Sequence, residues 1–134
     1  MTIEPPEKNR DLPTVVYIED DDPCAELVND ALQERCRVLR VADGLAGLAL
    51  VERIKPALVL VDLHLPSLSG FEVIERLRAT PGTADIPVLA ISARIMAGEA
   101  ARAQALGCRG FVEKPFGLET LRREVDAALG NTAE

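Results

Sequence analysis

The amino-acid sequence predicts an α/β protein, a doubly wound parallel sheet of five strands with helices on both faces. Between residues 14 and 130, short apolar runs alternate five times with segments of helical period, as is typical of parallel sheets with right-handed crossovers. Several of the runs are continuously apolar, as expected for strands that are covered on both faces. Charged residues stand directly after three of the runs, at the edge where such sheets bind ligands.

The first two helices are predicted by their start signals. Asp22 followed by Pro23 is typical of an N-cap and a first helical residue, and this helix should end near Arg35. Asp43 opens the second helix, and Pro56 follows its end. The apolar faces of the two helices carry residues 27, 28, 31 and 32, and residues 45, 48 and 49. The strands around them are residues 15–18, 38–42 and 57–61.

Proline and glycine separate the remaining elements. Apolar residues from Phe71 to Leu77 mark a third helix that ends before Pro81. An alanine-rich fourth helix is predicted at residues 97–106 and ends at Gly107. The last two strands are residues 88–91 and 110–113, and the last helix carries apolar residues 118, 121, 125 and 129.

The strand order that explains the charged residues is 2-1-3-4-5, the order of a flavodoxin-like (βα)5 fold. It places the first and third strands on either side of the switch point, so that Glu19 and Asp20 lie beside Asp62. We assign residues 1–13 to a flexible leader, residues 14–130 to one domain and residues 131–134 to a polar tail.

Composition excludes several classes of function. The net charge is −7, with 22 acidic against 15 basic residues and no tryptophan, so direct nucleic-acid binding is not expected. No apolar run approaches the roughly 20 residues that cross a bilayer, and the N-terminus lacks a signal-peptide core; we therefore expect a cytoplasmic protein without a membrane contact. The three cysteines form no C-x-x-C pair, which argues against disulfides and zinc.

Acidic residues at the strand ends predict a phosphoryl-accepting site. Adjacent carboxylates such as Glu19, Asp20 and Asp62 repel one another unless a hard cation joins them, and Mg²⁺ is the natural candidate. A third carboxylate is then available as a nucleophile that forms an acyl phosphate. Asp62 is the best candidate because a loop with proline and glycine follows it, while Lys114 offers a positive charge and Ser92 a hydroxyl.

Four stretches together resemble the receiver domain of two-component response regulators, in particular single-domain regulators of the chemotaxis type. The resemblance covers about residues 14–130. Its motifs are residues 16–23 (VYIEDDDP), 58–66 (LVLVDLHLP) with Gly70, 87–93 (PVLAISA) and 113–116 (EKPF).

The resemblance implies a phosphorylated switch protein that is not an enzyme in its own right, although it assists its own phosphorylation and dephosphorylation. Asp62 would accept a phosphoryl group from a sensor histidine kinase or a histidine phosphotransfer protein. Mg²⁺ would be held by Glu19, Asp20, Asp62 and the backbone carbonyl of His64. An acidic pair of Asp20 and Asp21 is the alternative; we prefer Glu19 and Asp20 because the other choice puts Glu19 inside a buried strand.

The same resemblance implies how the switch is read. Ser92 would be the switch hydroxyl, Lys114 the counter-charge and Phe111 the aromatic switch, with a cis peptide bond before Pro115. A downstream protein would bind the face formed by the fourth helix, the fifth strand and the fifth helix. We expect no output domain after Glu134 and therefore output by protein contact from a monomer or weak homodimer.

Other readings remain open at this point. A phosphatase or phosphotransferase of the haloacid-dehalogenase type also uses a nucleophilic aspartate, but has a second aspartate where this chain has His64. A flavin module is disfavoured because Asp21 and Asp22 would repel a phosphate. A protein-interaction module that works without phosphorylation is the last alternative. The His64 side chain either is a plain exposed loop residue or tunes the lifetime of the phosphoryl group.

Overall fold

The structure, a computed structural model described over residues 12–93 and 96–130, contains a five-stranded parallel sheet. The strand order is β2-β1-β3-β4-β5, and all neighbouring strands are parallel. The strands are β1 (Thr14–Ile18), β2 (Arg37–Val41), β3 (Leu58–Asp62), β4 (Val88–Ser92) and β5 (Gly110–Glu113). The helices are α1 (Asp22–Leu32), α2 (Gly44–Ile54), α3 (Gly70–Ala79), α4 (Glu99–Ala105) and α5 (Leu118–Ala128).

The predicted fold class and strand order are therefore confirmed. Two apolar cores lie on opposite faces of the sheet, one under α1 and α5 and the other under α2, α3 and α4. Strands β1, β3 and β4 contribute side chains to both cores, and this explains their continuous apolar sequence. The predicted leader, apart from residues 12 and 13, and the polar tail lie outside the described residues. Among the described residues, no helix is long and apolar enough to cross a membrane.

The start of α1 differs from the prediction. Asp21, not Asp22, is the N-cap, and its side chain accepts a hydrogen bond from the backbone N–H of Cys24 at 2.9 Å. Asp22 is the first helical residue and forms an ion pair with Arg40 at 2.8 Å. A proline is tolerated at either of the first two helical positions, where its missing N–H has no helical partner, so the sequence did not fix which aspartate caps.

Two helices are shorter than predicted. Helix α1 ends at Leu32, where a turn replaces the last three predicted residues. Helix α4 begins at Glu99 because Gly98 has φ +86, a left-handed conformation that a right-handed helix cannot contain. The predicted apolar faces also need correction: Leu27, Leu45 and Leu118 are exposed, while the residues toward the sheet are buried.

An arginine of α3 joins two connecting segments to that helix. Arg78 donates hydrogen bonds to the backbone carbonyls of Ala84, Ile86, Leu106 and Gly107, at 2.8 to 3.3 Å. We call these residues the arginine cluster. It joins α3 to the loop before β4 and to the turn after α4, and thereby fixes the outer elements on this face of the sheet.

Candidate functional site

The carboxyl ends of β1 and β3 bring the acidic residues together. Ile18 of β1 pairs with Val61 of β3, so Glu19 and Asp62 occupy neighbouring positions at this edge. One carboxylate oxygen from each of Glu19, Asp20 and Asp62 lies within 4.8 Å of the others. Together with Lys114, we call these three residues the acidic cluster. Asp21 is engaged at the start of α1 instead.

Glu19 lies just beyond β1, as predicted, but it is fully buried. The expectation that a position outside the strand avoids burial of its charge is therefore wrong. Its burial is tolerated because the carboxylate is surrounded by donors. Oε1 accepts hydrogen bonds from the Tyr17 hydroxyl at 2.9 Å and from Lys114 Nζ at 2.9 Å. Oε2 accepts a longer bond, 3.3 Å, from the backbone N–H of Asp21. The Glu19 carbonyl accepts from Arg40 Nε at 2.7 Å, which fixes the backbone.

Asp62 is the last residue of β3 and is 5% exposed. Its Oδ2 accepts a hydrogen bond from Lys114 Nζ at 3.1 Å, and its Oδ1 accepts one from the backbone N–H of His64 at 2.9 Å. Gly70, at the start of α3, packs against this strand end so closely that a Cβ there would lie 2.3 Å from the Asp62 carbonyl oxygen. The absence of a side chain at Gly70 therefore keeps the loop folded back beside Asp62.

The two buried carboxyl groups have pKa values shifted in opposite directions. Burial raises the pKa of Glu19, and its hydrogen bond with Asp62 raises it further, against opposing hydrogen bonds from Lys114 and Tyr17. Burial alone would raise the pKa of Asp62 as well, but hydrogen bonds from Glu19, His64 and Lys114 outweigh burial and lower it. Asp62 is thus held in the ionised form that a nucleophile requires.

Lys114 is the cation of the site and directly follows Glu113, the last residue of β5. Burial lowers its pKa, but hydrogen bonds to Glu19 and Asp62 raise it above the ordinary value for lysine, so the ammonium group stays charged. Its backbone N–H donates to the carbonyl of Ser92 at 2.7 Å. The following peptide bond, to Pro115, is cis, as the resemblance implies.

The two predicted switch residues lie on neighbouring strands. Ser92 ends β4 and is fully buried. Phe111 lies in β5, is half-buried, and packs against the core under α3 and α4. It also lines a groove with Ala103 and Cys108 on the α4 side. In the pairing of β4 with β5, Ser92 lies opposite Glu113 and Phe111 lies opposite Ala90. The roles of Ser92 and Phe111 as switches stay predictions.

The His64 side chain has a partner that the sequence did not reveal. Its Nε2 lies 3.3 Å from Oε1 of Glu99, the first residue of α4. The same Glu99 oxygen accepts a hydrogen bond from the backbone N–H of Met96 at 3.0 Å. The loop after Asp62 is therefore linked to the start of α4. Nothing in the described contacts assigns a role to the His64 carbonyl as a ligand, which stays a prediction.

The donor set of the acidic cluster fits a hard divalent cation. Three carboxylates surround the site against one lysine, so two negative charges remain in excess. Carboxylate oxygens are the ligands that Mg²⁺ prefers, and Mg²⁺ usually needs only one or two of them beside water and phosphate oxygens. The predicted ligands Glu19, Asp20 and Asp62 are the residues that lie together.

Comparison with known proteins gives the class of the chain. The family model of the response regulator receiver domain matches residues 15–126, and the chain belongs to this family. It is a component of two-component signalling, in which response regulators interact with histidine kinases and downstream partners. The readings as a dehalogenase-type phosphatase and as a flavin module do not agree with this family.

Relatives of two lengths match the chain. It is 34% identical over 122 residues to the DNA-binding dual master transcriptional regulator RpaA of Synechocystis, covering 90% of the chain and 51% of RpaA, so it spans about half the length of that protein. It is 29% identical over 119 residues to the polar-differentiation response regulator DivK of Brucella anthropi, covering 88% of the chain and 97% of DivK.

One solved structure bears on the metal. The receiver domain of a sensor histidine kinase from Pseudomonas aeruginosa has a magnesium ion coordinated in its active-site cleft. It superposes on this chain with a TM-score of 0.81 and 25% sequence identity, over 89% of this chain and 98% of that domain.

Proposed function

We propose that the chain is a phosphoacceptor in a two-component system or phosphorelay and that Asp62 is the phosphorylated residue. The observation that carries this proposal is the environment of Asp62: an ionised carboxylate at a strand end, in contact with Lys114 and beside two further carboxylates. A purely structural aspartate would not need such an excess of negative charge around it. Membership of the receiver family supports the same function.

In the proposed reaction, a carboxylate oxygen of Asp62 attacks the phosphorus atom of a phosphohistidine. The phosphorus–nitrogen bond breaks, and the departing imidazole takes the electron pair and a proton from solvent. The product is an acyl phosphate on Asp62. Attack by water later releases inorganic phosphate and regenerates the carboxylate, so the chain serves as a switch that is reset and not as an enzyme with its own turnover of a metabolite.

Each neighbour of Asp62 has a distinct part in this reaction. Glu19, Asp20, Asp62 and the backbone carbonyl of His64 would hold Mg²⁺, which when bound neutralises charge on the transferring phosphoryl group. Lys114 provides a second, fixed positive charge at the same carboxylate. Ser92 would donate its hydroxyl to a phosphoryl oxygen from the adjacent strand end.

The proposed output is a shift between two conformations. The phosphoryl group favours the state in which Ser92 and Phe111 move inward, and a protein that binds this state reads the signal. The surface for that protein is α4, β5 and α5, and the start of α4 is linked to the loop after Asp62 by the contact between Glu99 and His64. We place this exchange in the cytoplasm, where a histidine kinase would act on the chain.

The test is phosphorylation of the purified chain by a small-molecule phosphodonor in the presence of Mg²⁺. We expect acid-labile phosphate in wild type and none in Asp62→Asn. Asp30→Asn, an exposed aspartate in α1, is the matched control and should behave as wild type. A wild-type chain that takes up no phosphate, or an Asp62→Asn variant that takes up as much, would defeat the proposal.

We propose that the phosphodonor protein binds an apolar groove beside Lys114. It has a volume of about 510 Å³ and is formed at the start of α1 and the loop after β5. Leu27, which is 41% exposed, lies in this groove with Pro23 and Phe116. An exposed apolar side chain at the mouth of a site is a typical anchor for a protein partner.

A charged substitution in this groove should distinguish phosphorylation by a protein donor from phosphorylation by a small-molecule donor. We expect Leu27→Asp to slow phosphoryl transfer from a histidine kinase by about tenfold, the effect of losing roughly 1.4 kcal/mol of contact, and to leave phosphorylation by a small donor unchanged. Leu45→Asp is the control, because Leu45 is also exposed but lies on α2. Equal losses with both donors would rule out the groove as a docking surface.

A further inference from the structure

One buried polar group near the site is not used by the proposed reaction. Tyr17 lies in β1 and is fully buried, two residues before Glu19. Residues two apart in a strand point to the same face, and the Tyr17 hydroxyl donates a hydrogen bond to Glu19 Oε1 at 2.9 Å. The hydroxyl also contacts Cys24 Sγ, at 3.4 Å.

We propose that Tyr17 is a positioning residue for the cation site, which holds the Glu19 carboxylate in the orientation that Mg²⁺ binding requires. The inference rests on the proposed function, since it assumes that Glu19 is a ligand. It assigns a role to a residue that lies outside the acidic cluster and touches neither the phosphoryl group nor Asp62 in the described contacts.

The donors around Glu19 are distributed unequally over its two oxygens. Oε1 accepts two side-chain hydrogen bonds, from Tyr17 and Lys114, each 2.9 Å long. Oε2 accepts the longer, 3.3 Å bond from the backbone N–H of Asp21. Because the Tyr17 hydroxyl and Lys114 both hold Oε1, rotation of the carboxylate is restricted, and Oε2, with its longer bond, is the oxygen that would turn to a cation.

A neutral donor suits this task better than a second cation. Lys114 attracts Glu19 by charge and thereby competes with Mg²⁺ for the same carboxylate. The Tyr17 hydroxyl orients the carboxylate without cancelling its charge. The phenol is a neutral group, and in this geometry its O–H donates to Glu19 Oε1.

The rival explanation is that Glu19 merely satisfies a buried phenol, since a buried tyrosine hydroxyl usually finds a partner. The two explanations differ in what Tyr17→Phe does to cation binding. Groups that orient a metal ligand typically change metal affinity by 10- to 100-fold when removed. A merely structural hydroxyl would change stability alone.

The experiment is calorimetric titration of the full chain with Mg²⁺, together with urea unfolding in a chelator. We expect Tyr17→Phe to weaken Mg²⁺ binding by about tenfold, the lower end of that range. Thr83→Val is the matched control: Thr83 is also buried and its hydroxyl donates to the Leu77 carbonyl at 2.8 Å, on α3 and away from the site. It should lose stability and keep the wild-type Mg²⁺ affinity.

A second measurement uses the wild-type chain alone, in case Tyr17→Phe does not fold. The sequence has one tyrosine and no tryptophan, so near-ultraviolet absorption and fluorescence report on Tyr17. We expect Mg²⁺ to change this signal with the same midpoint as in calorimetry.

Three results would overturn the inference. One is unchanged Mg²⁺ affinity in a folded Tyr17→Phe chain, and another is a silent Tyr17 signal while calorimetry reports binding; either leaves the proposed function intact. The third is a wild-type chain that binds no Mg²⁺, which would also contradict the cation site of the proposed function.

Discussion

The arginine cluster and the acidic cluster are both networks of polar groups that hold loops in place. Only in the arginine cluster are the charge and the hydrogen-bond donors matched by acceptors. Arg78 meets four backbone carbonyls, whose dipoles satisfy its guanidinium group. In the acidic cluster three carboxylates face a single lysine, and the pKa of Glu19 is raised as a result of its burial and its acidic neighbour. The first cluster is complete without a ligand, and the second is not.

This difference separates stability from function. Removal of the central residue of a balanced cluster leaves carbonyl groups without donors and should destabilise the fold. Removal of a negative charge from the acidic cluster relieves repulsion among the carboxylates and should stabilise the metal-free chain while it damages the site. The two clusters should therefore respond to substitution in opposite ways.

The largest effect is expected for Lys114→Met, which removes the cation in contact with Asp62 but keeps the length of the side chain. Loss of one preorganised electrostatic contact in a reaction site typically slows the reaction by about 10²- to 10³-fold. We expect phosphorylation by a small donor to slow by about 10²-fold, measured as the rate of acid-labile phosphate formation. Lys55→Met, an exposed lysine at the end of α2, should keep the wild-type rate; a loss in both variants would speak for a general charge effect.

The next effect concerns the arginine cluster. Arg78→Met should lower the free energy of unfolding by about 2 kcal/mol, because four carbonyls lose a charged donor and water replaces it only in part. Urea denaturation measures this change. Arg76→Met in the same helix has an exposed side chain and should have little effect on stability. If Arg78→Met left stability unchanged but abolished phosphorylation, the assignment of stability to the arginine cluster and of function to the acidic cluster would be wrong.

The smallest effect is a predicted increase in the free energy of unfolding, caused by Glu19→Gln. The raised pKa of Glu19 means that folding favours its protonated form, so its contribution to stability is present below the ordinary glutamate pKa of about 4.5 and is lost as pH rises. Glu19→Gln does not titrate, and its amide oxygen can still accept from Tyr17. We expect it to raise the metal-free unfolding free energy by about 1 kcal/mol at pH 7.

That gain should shrink toward pH 4, where wild-type Glu19 takes up its proton, and urea unfolding in a chelator at the two pH values tests it. Glu26→Gln, an exposed glutamate in α1, is the control. A variant that is less stable than wild type at pH 7 would contradict the view that Glu19 is held ionised at a cost.

The sequence predicted the site because apolar runs locate the ends of strands. The hydrogen-bond partners of the side chains could not be predicted in the same way. The apolar runs predicted β1 and β3, and their charged successors Glu19 and Asp62 follow from that. Tyr17 belongs to an apolar run, which hides its polar hydroxyl, although its spacing of two residues from Glu19 places both side chains on one face. The capping box at the start of α3 also has a sequence signature, a serine followed three residues later by a glutamate, Ser69 and Glu72.

Other contacts had no such signal. The His64 pair with Glu99 joins the loop after β3 to the first residue of α4, two segments far apart in the sequence. The Arg78 contacts are to backbone carbonyls, which carry no residue identity at all. Loop conformation decides both, and periodicity does not report loop conformation.

The most direct test of the central claim is to locate the phosphoryl group on the chain. After incubation with a phosphodonor and Mg²⁺, borohydride reduces an acyl phosphate and leaves homoserine at the modified position, which peptide mass mapping identifies. We predict conversion of Asp62 alone, dependent on Mg²⁺ and absent after chelation. Conversion at Glu19, Asp20 or any other carboxylate, or modification that is independent of Mg²⁺, would contradict the assignment of Asp62 as the phosphoacceptor of this receiver domain.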